Sequence, residues 1–235
     1  MHRVFESFFS PFHFRQSLPD VWAGFMINVK MMVIAEALVL VLALGVAIIR
    51  GLPGRAAGPP RVLAIAFTDV FRGTPLILVA FLVGFGLPGL RIHPISYFSI
   101  VTYGIIALTL VYTAYVAEVY RAGIQSVHPS QRMAARSLGL SYAQAMRYVI
   151  VPQAVRRVIP PLLNDFVGLQ KDTAIVSVIG ITEAAQQAQN YSSSYFNFTS
   201  YVVGAVFFIF MTIPLARFTD HLIARRERLE RAQAA

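Results

Sequence analysis

Glu36, Arg72, Lys171 and Asp172 lie inside apolar runs where hydrocarbon-facing side chains would be expected. A charge at such a depth is costly unless it is paired or handles a ligand. Arg72 offers a planar, two-pronged donor suited to a carboxylate, whereas Asp172 or Glu36 suits an ammonium. A set holding both signs therefore matches a zwitterionic ligand, with Thr74 and Thr173 as neighbouring hydroxyls. Simple neutralisation is the competing use: Arg72 with Asp69 or Glu36, and Lys171 with Asp165 or Glu118. Glu118 reads as structural, one turn from Arg121. Tyr112 and Tyr115 read as packing or interfacial residues. His13, His93, His128 and His221 lack metal-ligand spacing, so no metal site is expected.

These residues require membrane-spanning helices to hold them. The chain has 235 residues, 57% hydrophobic and 13% charged, about half the usual charge of a soluble domain. Apolar stretches at about 24–49, 62–87, 97–119, 160–181 and 201–222 predict five helical crossings in an all-α integral membrane bundle. Depth along these spans puts the four charges near the midplane, where they could meet in one cluster. Pro75, with Gly73 before it, predicts a bend beside Arg72 that frees backbone groups. Residues 1–23 read as an extracytoplasmic or interfacial segment, 24–222 as the membrane domain and 223–235 as a cytoplasmic tail.

The net charge of +9 is a topology signal here, not a nucleic-acid signature. Arg50, Arg55 and Arg61 follow the first span, and Arg121, Arg132, Arg136, Arg147, Arg156 and Arg157 follow the third. Arg217, Arg225, Arg226, Arg228 and Arg231 close the chain, while 173–216 holds no Lys or Arg. The N-terminus is thus expected outside and the C-terminus in the cytoplasm. The chain has no cysteine, which excludes disulfides and thiolate chemistry.

The cytoplasmic loop 121–160 is too long for a turn. Ser130 is the expected N-cap of a short helix ending at Gly139. Ser141 with Gln144 forms a capping box for a second helix, which Pro152 ends or bends. Ala134, Ala135 and Gly139 would admit another protein's surface closely. A solvated basic loop at lipid headgroups is the plainer reading.

This loop resembles the EAA loop of binding-protein-dependent ABC permeases, with Gln131, Ala134, Ala135, Leu138 and Gly139 matching and Pro152, Gln153 and Ala154 following. FRGTPLILVAFLVGFGLP at 71–88, AYVAEVYRAGIQSV at 114–127 and LQKDTAIVSVIG at 169–180 are similar to motifs of the polar amino acid (histidine/glutamine) subfamily. Met133 stands at the usual glutamate and Ser130 at a frequent glycine, which weakens docking through a salt bridge but not through shape.

The resemblance implies a type I ABC importer permease in a bacterial cytoplasmic membrane, not itself an enzyme. Its partners would be two cytoplasmic ATP-binding subunits, a second permease chain, an extracytoplasmic solute-binding protein, membrane lipid and a polar amino acid. Ser130, Gln131, Met133, Ala134, Ala135, Arg136, Ser137, Leu138, Gly139 and Ser141 would form the contact with the ATPase. No phosphate-binding G-x-x-x-x-G-K-[ST] motif is present, so ATP would be bound by the partner. An ion-coupled secondary amino acid transporter or channel is the alternative that the buried charges allow.

Overall fold

The computed structural model describes residues 2–52, 54 and 58–234, apart from the side chains of 226, 227 and 229–234. Arg55 and the side chains of Arg226 and Arg231, read above as topology signals, lie outside these described residues. All the regular structure described is helical.

A short helix α1 (His2–Phe8) precedes α2 (Pro11–Gly51), which is 41 residues long. Pro11 suits the first turn, where its missing N–H would have had no partner. The helix starts well before the expected Gly24, because tertiary packing extends it. Ser17, Val21 and Gly24 are buried, in part against a later helix that hydropathy does not detect.

The second apolar run is broken rather than gently bent. Helix α3 (Gly58–Gly73) and the stretch Leu76–Gly89 meet at 108°. That stretch comprises α4 (Leu76–Phe81), a π turn at Leu82–Gly86 and α5 (Leu87–Gly89). Pro75 has no N–H and disfavours helical backbone at Thr74. The Thr74 hydroxyl donates to the Val70 carbonyl at 2.8 Å, satisfying one acceptor at the broken end.

Helix α6 (Ile100–Gln125) is the most enclosed long helix. Its Ser99 N-cap accepts from the Thr102 amide. Met31, Leu108, Leu169, Val176 and Ile181 build the main core around it. At one end of the bundle Arg50 donates to Glu118 at 2.7 Å and to Thr68 at 3.0 Å, tying α2, α3 and α6 together. Arg121 pairs with the other oxygen of Glu118, as its spacing suggested. Arg50 is the added partner, and Glu118 is therefore not the partner of Lys171.

Helices α7 (Pro129–Ser137), α8 (Tyr142–Ala145) and α9 (Val151–Asp172) follow. A 3-10 turn at Ile175–Ile179 and the left-handed Gly180 (φ 98°) then lead to α10 (Ala184–Tyr195), and α11 (Thr199–Ala234) ends the chain. Contact pairs fix the directions. Gly104 meets Ile181 and Met31, and Arg50 meets Glu118, so α6 runs parallel to α2. Tyr112 meets Gly168, and Gly123 meets Val158, so α9 runs against α6. Gly24 touches Glu183 while His13 bonds to Tyr191 at 2.9 Å, so α10 runs against α2.

Helices within 2–51, 100–125 and 199–225 are long and apolar enough to cross a membrane, and the bent pair adds a fourth if counted once. The expected span 160–181 does not pass that test as one helix. Its helix stops at Asp172, and α10 continues in the same direction with the sequence AAQQAQNYSSSY.

Candidate functional site

The broken run, α6 and the end of α9 together position a line of polar side chains. The Arg72 guanidinium carbon lies 5.9 Å from the ring centre of Tyr115, and the Tyr115 hydroxyl donates to the Arg72 carbonyl at 3.4 Å. The rings of Tyr115 and Tyr112 are 6.2 Å apart. The Tyr112 hydroxyl then donates to Asp172 Oδ2 at 2.8 Å. Gly168 makes room for that hydroxyl, since a Cβ there would lie 3.0 Å from it. A cationic head thus stands at one end of a two-tyrosine wall and a carboxylate at the other. Both tyrosines, expected from the sequence as packing or interfacial residues, carry the connection.

Asp165 lies about two turns before Asp172 on α9, and its Oδ2 is buried without a hydrogen-bond partner. Glu36 on α2 is within electrostatic range of it. A buried acceptor without a donor is costly, so it would gain from any N–H group brought to it. Neither Asp69 nor Glu36 forms an ion pair with Arg72 among the described residues, and Arg72 is exposed at the break.

Lys171 does not join this group. Adjacent residues on a helix point about 100° apart. While Asp172 faces Tyr112, Lys171 faces a groove of about 320 Å³ with Ala174, Ala185, Ala188, Gly204 and Phe208. The single midplane cluster expected from the sequence is therefore two separate places. Thr173 is fully buried and belongs to a third. Its hydroxyl donates to the Gln170 carbonyl at 2.7 Å and accepts from Asn28 Nδ2 at 3.0 Å.

That third place is a lock between α2 and α10. Asn28 Nδ2 donates to Glu183 Oε2 at 2.9 Å, and Asn28 Oδ1 accepts from the Ala184 amide at 3.1 Å. Glu183 caps α10 by accepting from the Ala185 amide at 3.0 Å and the Gln186 amide at 2.8 Å. Gly24 permits the approach: a Cβ there would lie 2.6 Å from the Glu183 carbonyl carbon. No local pattern of residues marks this lock, because its partners are 155 residues apart.

The loop element has its own geometry. His128, not Ser130, caps α7: its ring nitrogen accepts from the Ser130 amide at 3.2 Å, and Pro129 occupies the first turn. Gly139 ends the helix with φ 81°. Ser141 and Gln144 form the expected capping box. Pro152 does not end the second helix. A π turn at Met146–Ile150 carries the Val151 amide to the Met146 carbonyl, and residues 142–172 form one continuous rod. The wider turn accommodates a proline whose ring would crowd the Tyr148 carbonyl in a regular α-helix.

Ala135 is buried, so it supports the knob from beneath instead of lying at its surface. The exposed surface holds Gln131, Met133, Ala134, Arg136, Ser137, Leu138, Gly139 and Ser141, with Leu138 84% and Met133 62% exposed.

Residues 52–228 match the family described as "Binding-protein-dependent transport system inner membrane component". The chain is 39% identical over 208 residues to the "Probable glutamine ABC transporter permease protein GlnM" of Bacillus subtilis (strain 168), covering 87% of this chain and 92% of that one. It is 30% identical over 209 residues to the "Arginine transport system permease protein ArtQ" of the same organism, covering 89% and 93%. A solved structure titled "Crystal structure of an amino acid ABC transporter with histidines" superposes with a TM-score of 0.80 at 35% identity, over 88% of this chain and 94% of that one. The MetNI methionine ABC transporter in an inward-facing form shares the fold, with a TM-score of 0.69 at 16% identity.

Proposed function

We propose that this chain, which belongs to the family of binding-protein-dependent transport system inner membrane components, is the permease subunit of an ATP-driven amino acid importer. In this reading it pairs with a second permease chain and two cytoplasmic ATP-binding subunits, and it receives the amino acid from an extracytoplasmic binding protein. It lies in the bacterial cytoplasmic membrane with its N-terminus outside, as the arginine distribution suggests. It crosses five times: α2, the broken α3–α5, α6, the α9–α10 pair and α11.

The observation that carries the substrate assignment is the line from Arg72 through Tyr115 and Tyr112 to Asp172, with the unsatisfied Asp165 oxygen beside it. The carboxyl end receives the substrate ammonium or an N–H-bearing side chain, and Arg72 receives a carboxylate. The knob 129–145 docks on the ATP-binding subunit, and the rod 142–172 transmits its displacement to Asp165 and Asp172. The continuous helix is a direct connection between a docking site and a substrate site.

Asp165→Asn is close in shape and leaves no existing hydrogen bond broken at Oδ2. Removing a charged hydrogen bond to substrate costs about 1.5–3 kcal/mol. Uptake by the assembled transporter in proteoliposomes should therefore show an apparent affinity about 10- to 100-fold weaker, with expression unchanged. Arg72→Gln should weaken affinity in the same direction. Normal affinity in both variants would overturn this placement of the substrate.

A further inference from the structure

Helix α10 has two chemically distinct faces. Ala184, Ala188, Tyr191 and Ser192 are buried toward α2 and α11. At about 100° per residue, Gln186, Gln189, Asn190 and Ser193 fall on the opposite side. Gln189, Asn190 and Ser193 are exposed there and Gln186 is half-buried. Gln186 donates to Asn190 at 3.0 Å, so the amides form a ladder along the helix instead of turning inward.

The position of this ladder gives it meaning. The Glu183 end of α10 touches Gly24 and Asn28, within the apolar length of α2, and the Tyr191 end touches His13 and Gln16 near the start of that helix. The ladder therefore runs from membrane depth toward the N-terminal end of the bundle. Amides without hydrogen-bond partners are strongly disfavoured against lipid chains. The buried lock of Glu183, Asn28 and Gly24 fixes the rotation of α10 and thus which side the amides occupy.

We infer that the Gln186–Gln189–Asn190–Ser193 face lines a water-filled outer vestibule through which the amino acid travels before reaching the Arg72–Asp172 line. This rests on the permease reading, and it assigns the polar half of the fourth crossing to the substrate path. Amide and hydroxyl groups both donate and accept, so the face exchanges hydrogen bonds with a hydrated polar solute without trapping it as an opposite charge would.

The chain has no cysteine, so single cysteines report cleanly. Gln189→Cys and Ser193→Cys test the vestibule. Phe210→Cys, on α11 and 80% exposed, is the apolar control. Each variant is assembled with its ATP-binding and binding-protein partners in native membranes and treated from outside with a charged, membrane-impermeant thiol reagent. Both vestibule cysteines should react at least tenfold faster than the Phe210 control.

Reaction only after detergent separates the chains would make this face a seam between permease subunits and would overturn the inference. No reaction in either state would make it lipid-facing and would overturn the inference equally. Uptake measured on the same membranes separates the two layers. Variants that transport but do not react refute the vestibule alone. Absence of uptake in the unmodified assembled transporter refutes the permease reading, whatever the labelling.

Discussion

Glu183→Ala is expected to cost the folded chain on the order of 2–5 kcal/mol, because it strips partners from one buried and two part-buried donors at once. The Ala185 and Gln186 amides lose their cap, and one hydrogen of Asn28 Nδ2 loses its acceptor. Glu183 has no exposed surface, so water cannot simply replace the carboxylate. Glu183→Gln should fall between alanine and the native residue. It keeps one acceptor oxygen but turns an NH2 group toward other donors.

Thermal unfolding of the purified chain in detergent checks this, and a large fall in melting temperature is expected. Asn28→Ala should be partly redundant with Glu183→Ala, because both dismantle the same network, so the double variant should lose less than the sum. A Glu183→Ala protein as stable as the parent would show that α10 is held by other means.

The second large effect is expected at the knob formed by residues 129–145. Met133 and Leu138 are large apolar side chains mostly exposed on a basic surface, and they stand clear of the buried core. Anchors of this kind, when buried centrally in an interface, often carry about 2 kcal/mol or more each. Met133→Asp with Leu138→Asp should therefore weaken capture of the ATP-binding subunit by about 100-fold or more and abolish ATP-dependent uptake. Stability of the isolated chain should stay unchanged, because both residues already face water. Co-purification and uptake read the two consequences separately. Undiminished capture of the ATP-binding subunit would remove the knob from the coupling path.

Much of this arrangement is legible in local chemistry. Gly139 at a helix end, the Ser141–Gln144 box and the Gly73–Thr74–Pro75 break each depend on a few adjacent residues, and each forms in the structure. The arginine clusters and apolar runs likewise mark the long helices.

The features that local chemistry does not reveal depend on distance or on angle. Helix α10 contains no apolar run, so a hydropathy scan passes over it, although long-range contacts hold it in place. The Asn28–Glu183 lock joins residues remote in sequence. Pro152 has the signature of a terminator, because the π turn that absorbs it leaves no simple sequence mark. His128 displaces Ser130 as the cap because Pro129 already fits the first turn.

The separation of Lys171 from Asp172 follows from helical geometry alone. Neighbours about 100° apart cannot both face one small site. Their division leaves Asp172 and Asp165 as the carboxyl groups near Tyr112, with Glu36 near Asp165, a more acidic interior than the balanced set suggested by sequence depth.

Energy supply is where the importer reading meets its most direct test. Radiolabelled amino acid uptake is measured in proteoliposomes holding this permease with its partners, with ATP inside or absent, and with or without a protonophore. Uptake should require internal ATP and persist when the proton gradient is collapsed. Accumulation that continues without ATP and stops with the protonophore would contradict the importer reading, pointing to an ion-coupled carrier in its place.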